Sequence, residues 1–93
     1  MMNFSQIDAK ISANGYRRKA QSRKVFNDTD GTTTTIYDYE HRRKLDMFSV
    51  YVNEFGAVES VEFTSVNFNP ETRKYSQTVS TITNLSEFNK YVK

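Results

Sequence analysis

The chain has 93 residues, 37% of them hydrophobic and 14% aromatic, with a net charge of +2 and no cysteine. That length holds one domain with one small core built on Phe and Tyr, and it leaves no room for a second. The missing cysteines exclude disulfides and thiolate metal sites, which fits a reducing compartment and a cytoplasmic protein. Phe and Val recur at strand spacing and net charge is low, so disorder is not expected. Nothing in the sequence approaches the length of an apolar membrane span.

Charge is spread unevenly. The first 45 residues carry an excess of base, including Arg17, Arg18, Lys19, Arg23, Lys24, Arg42, Arg43 and Lys44, while the remainder carries an excess of acid. Such an imbalance points to an acidic partner for the first half.

In chain order, Ser5 with Asp8 reads as a helix start, and Phe4, Ile7 and Ile11 form one apolar stripe. Asn14-Gly15 ends this helix, which is too short to stand alone and has to dock on a sheet. Tyr16–Asn27 is ambiguous among strand, helix and loop. Its second half reads as a strand, with Val25 and Phe26 as the buried residues. Asn27–Gly31 is a turn by composition. Thr32–Glu40 follows as a strand with Ile36 on one face and Tyr37 and Tyr39 on the other. His41-Arg42-Arg43-Lys44 is a basic connection into a central hairpin over Leu45–Asn69, the densest apolar and β-branched stretch of the chain. That hairpin turns at Asn53–Gly56 with Gly in a positive-φ position. Val61 and Phe63 share one face and Val66 and Phe68 the other, which suggests a β-bulge near Thr64-Ser65. Asn69–Thr72 is a turn containing Pro70. Tyr75–Thr83 is the last strand, and Asn84 with Glu87 resembles a capping box opening a final helix. The predicted class is α+β: a four- to five-stranded antiparallel meander with a short helix at each terminus, both on one face.

Catalytic constellations are missing. His41 is the single histidine, it lies among three cations, and no motif places a nucleophile beside it. Gly15, Gly31 and Gly56 stand apart, so there is no phosphate-binding Gly-rich loop. Asp28 and Asp30 resemble the start of a calcium loop, but the twelfth position is Tyr39 where that loop needs Glu. Asp38 and Glu40 share a strand face and read as solvated acids. No enzyme activity, cofactor or metal is expected.

Two binding modes remain. The basic clusters 17–24 and 42–44, with Tyr16, Tyr37 and Tyr39 nearby, combine phosphate-neutralising charge with rings that stack on bases. Against direct nucleic-acid binding stand the small net charge and the interleaved Asp28, Asp30, Asp38 and Glu40. Protein binding is the leading expectation, because two short helices cover one face of a sheet and leave the other open. Tyr and Arg are common interface anchors, and Tyr37, Tyr39, Tyr51 and Tyr75 alternate onto the faces. An exposed strand edge also offers a route to a homodimer. No family motif is present. In style, this small Cys-free α+β chain without catalytic motifs is similar to phage and mobile-element accessory proteins, including inhibitors of host nucleic-acid-processing or defence complexes.

Overall fold

The computed structural model describes residues 2–92. It is an antiparallel, mostly-sheet open half-barrel with two short helices, of the α+β kind predicted. Seven strands replace the four to five expected: β1 (Met2–Asn3), β2 (Tyr16–Arg18), β3 (Arg23–Asn27), β4 (Thr32–His41), β5 (Met47–Val52), β6 (Ala57–Asn69) and β7 (Lys74–Ile82). They occupy five lanes of one sheet. β2 and β3 both pair with the same side of β4, and β1 and β7 both pair with the same side of β6. The run β3–β4–β5–β6–β7 pairs in chain order, which is the predicted meander, and β1 and β2 are the additional strands. Short connections make neighbours pair antiparallel, and the outer lanes are each split in two.

Helix α1 (Phe4–Ala13) is capped two residues earlier than Ser5 suggests. Asn3 is the N-cap, accepting from the Gln6 amide at 3.3 Å. Asn14 is the C-cap, and Gly15 follows at φ +91°, a conformation that other residues adopt only under strain. Helix α2 (Leu85–Phe88) is a single turn whose cap is Asn84. The Asn84 side chain accepts from the Glu87 amide and donates to the Glu87 carboxylate, the capping box expected of this pair.

The core lies on the inner face of the sheet. Ile7 and Ile11 of α1, Phe88 of α2 and Val92 pack against Tyr39, Phe48, Val50, Val52, Val58, Val61 and Ile82. Phe48 sits at the centre of the aromatic packing, with Tyr16, Phe63 and Phe88 rings at 4.9, 4.8 and 6.1 Å.

Three local readings are corrected. Tyr16 is buried, whereas Val25 and Phe26 are exposed on a strand tip. There is no bulge at Thr64-Ser65, because β6 and β7 pair without interruption from Val61↔Ile82 to Asn69↔Lys74. Val66 and Phe68 simply face outward. The irregularity lies at Tyr51/Val52, where Tyr51 pairs Ser60 and Val52 pairs Val58, leaving Glu59 as the extra residue. This bulge turns both Val58 and Val61 into the core.

β5 is shorter than its neighbours, so two ribbons project past it. β4 carries Thr32–Thr34, paired with β3, beyond Val52, and β6 carries Ser65–Asn69, paired with β7, beyond Met47. They leave from opposite ends and opposite sides of the sheet, in keeping with overall extents of 47 × 30 × 25 Å.

Candidate protein-docking face

Direct pairing puts residues on a common face, so register assigns every strand side chain to the inner or outer side. Tyr37 and Tyr39 point inward. Tyr39 is fully buried, and its hydroxyl donates to the Asp8 carboxylate at 2.7 Å. Burial first, then that acceptor, pushes the Tyr39 phenol well above its ordinary value. Tyr37 is half-buried and packs on Phe4 at 4.7 Å. Burial removes Tyr39 from any docking surface, while Tyr37 keeps part of its ring accessible on the inner side beside α1. Tyr51 and Tyr75 lie on the outer face.

The cations are dispersed. Arg18 lies on the inner side, 5.8 Å from the Phe4 ring centroid, 5.5 Å from Tyr37 and 3.5 Å from Asp8, bracing the edge of α1. Arg23 forms a two-pronged pair with Asp38 at 2.7 and 2.8 Å, and Ser49 donates to the same carboxylate. Those bonds, Arg23 foremost, hold the Asp38 carboxyl below its usual range. Lys24 faces inward beside Thr35 on the β3 ribbon, away from the remaining basic residues. Lys19 follows β2, its amide donating to the Asp38 carbonyl.

Arg17, Arg42, Arg43 and Lys44 gather at one corner. Arg17 and Arg42 line a shallow depression of about 400 Å³ with Glu40 and His41. His41 shapes this corner as a scaffold. Its Nδ1 accepts the amides of Arg43 and Lys44 at 3.0 and 3.2 Å, which places the ring proton on Nε2. The ring packs edge-on against Tyr16 and over Gly15. Glu40, paired across from Arg17, dilutes the positive charge there.

The outer face carries a surface whose residues come together only through strand register. Met47 and Val79 flank Thr64, Val66 pairs Gln77, and Phe68 pairs Tyr75 with ring centroids 5.0 Å apart. Register therefore lines up Met47, Val66, Phe68, Tyr75 and Val79 on one side of the β6–β7 ribbon and its root. Phe68 is 51% exposed, Tyr75 64%, Val79 49% and Met47 38%. Neither helix contributes to this side, because α1 and α2 pack into the inner core. The available signal was the parity of Val66 and Phe68, opposite to that of Val61 and Phe63.

The same outer face is polar toward β3 and β4. Tyr51 there lies beside Glu62, whose acceptance of its hydroxyl, together with burial, raises the phenol above its ordinary value. Ile36, paired with Arg23 and Tyr51, is 3% exposed, so this half of the face is covered by its own side chains.

Among the described residues, no group of three His, Cys, Asp or Glu side chains is placed to hold a metal ion. Among the same residues, no helix is long and apolar enough to cross a membrane. No protein-family model, curated protein or solved structure matches the chain.

Proposed function

We propose that this is a small non-catalytic binding protein that acts by protein–protein contact, using the outer face of the β6–β7 ribbon. The observation that carries the reading is the aligned set Met47, Phe68, Tyr75 and Val79, all exposed, with half-buried Val66 between them. Contiguous apolar surface on a soluble fold marks interaction sites far more specifically than single exposed side chains do. Aromatic and Met side chains are the types enriched at interface centres. Tyr51 lies on the same side of the sheet, toward the polar rim. Acting by contact, such a protein would inhibit a partner by covering its working surface, the role expected of an accessory inhibitor of a nucleic-acid-processing or defence complex.

The test is site-specific photo-crosslinking in cells. A crosslinker at position 68 should give one defined adduct, and Val79→Asp or Met47→Asp in the same chain should abolish it. A crosslinker at Phe55, 86% exposed but at the hairpin turn, is the control and should give none. No adduct at position 68, or one indifferent to both aspartates, would overturn the assignment.

The corner formed by Arg17, Arg42, Arg43 and Lys44 supports a second reading, direct nucleic-acid binding. With Tyr37 and Tyr39 turned inward, it rests on charge alone. Binding to single-stranded nucleic acid should then fall steeply with salt, and Arg17→Ala or Arg43→Ala should flatten the slope. Absence of binding at low salt would exclude it.

A further inference from the structure

The two outer lanes of the sheet present very different edges. The β2/β3 edge is broken between Arg18 and Arg23, its segments are three and five residues long, and it carries Arg17, Arg18, Arg23 and Lys24. Short, interrupted and charged edges resist pairing with another chain. β7 has none of these protections. It runs nine residues without a bulge, pairs only with β6, and is exposed from Lys74 to Val79. Lys74 is its single charge, at the very end, and it contains no proline.

We propose that β7 pairs with β7 of a second copy of this chain, antiparallel, about a two-fold axis at Gln77. A two-fold perpendicular to the sheet requires one residue to face its own copy and keeps inner and outer faces aligned. Centring on Gln77 puts Tyr75 opposite Val79 of the other copy, twice. Aromatic against β-branched is a favourable cross-strand pair, and the outer amide opposes its own copy, where two amides can exchange hydrogen bonds. Lys74 then meets Ser80, and no like charges are opposed. The strand is its own complement, which favours a second copy over a foreign strand as occupant. The pairing also joins the two outer apolar stripes into one continuous surface across the axis. The inference shares Tyr75 and Val79 with the docking face, but it rests on the free edge of β7 and needs no partner protein.

Light-scattering mass measured over micromolar to about millimolar protein should rise to twice that of one chain. Gln77→Lys and Gln77→Glu each place like charges directly opposite and should each give a monomer with unchanged circular dichroism. Mixed together, the two variants should recover the dimer as a Lys/Glu heterodimer. Lys24→Glu, on the other edge, should leave the wild-type mass unchanged. A monomer over the whole series would overturn the proposal. So would a dimer indifferent to both Gln77 substitutions, or two monomeric variants that do not associate when mixed.

Discussion

The Tyr39 hydroxyl donates to the Asp8 carboxylate at 2.7 Å, tying the middle of α1 to the fourth strand of the sheet. Tyr39 is the largest fully buried side chain, so its ring is core and its hydroxyl is the only polar group it brings in. Tyr39→Phe keeps the ring and removes the bond. Asp8 stays about one-third exposed and can rehydrate, so the loss should be about 1–2 kcal/mol, read from denaturant midpoints at unchanged slope. Because the phenol is raised in the folded state, its contribution is complete below pH 10, the unfolded value, and declines as pH rises above it. Tyr39→Phe should therefore soften the alkaline fall in stability.

Gly15→Ala and Gly31→Ala should separate backbone strain from collision. Both glycines have positive φ, +91° and +71°. At Gly31 nothing lies within 4 Å of an added Cβ, so the cost is conformational, about 1 kcal/mol. At Gly15 that atom would lie 2.9 Å from Nε2 of His41. The ring cannot retreat without releasing the amides of Arg43 and Lys44, so Gly15→Ala should cost about 1–2 kcal/mol more. The check is a pair of thermal melts, with the larger drop in Tm at Gly15.

Asp38 should govern part of the acid limb. Its carboxyl is held below 3.8 by Arg23, so the stabilisation is present above that value and lost as pH falls from there through the folded value. Arg23 is more than half exposed, which limits the pair to about 0.5–1 kcal/mol. Asp38→Asn should flatten the fall in stability below about pH 4 and leave a residual limb from Asp30, which Thr32 also holds low. An acid limb identical to wild type would contradict the assignment.

Phe48 and Phe68 test the division between core and surface. Phe48→Ala empties the centre of the aromatic cluster and should cost about 3–5 kcal/mol. Phe68→Ala, half-exposed on the ribbon, should cost well under 1 kcal/mol. Equal destabilisation in urea unfolding would mean that the ribbon belongs to the folding core and carries no separate surface.

Local chemistry made much of this architecture legible in the sequence. Gly15, Gly56 and the Asn84–Glu87 cap announce their turns through single residues, and the meander follows from short connections between strands. The missed features depend on relations that no window of sequence contains. Val25 and Phe26 look like core until the shortness of β5 leaves their strand projecting into solvent. Tyr16, in a segment of charged residues, is buried because the Gly15 turn folds it under Phe48. Tyr37 and Tyr39 were candidates for the surface because strand parity separates them from Ile36 without saying which side the helices cover. Only α1, anchored through Ile7 and Ile11, decides that. The basic clusters were visible as composition, but Arg18 and Arg23 are engaged by Asp8 and Asp38, acids that lie ten and fifteen positions away.

The bulge opposite Val52 makes the chain count its residues. Glu59 is exposed and faces nothing that depends on a carboxylate, so substitutions there should pass unnoticed. Deleting it is another matter: Val58 would swing out of the core, and Met2, whose strand pairs at Val58, would lose its neighbour. Position 59 is thus free in spelling and fixed in length, and a scan for tolerated changes would find a site that accepts any letter but not a gap.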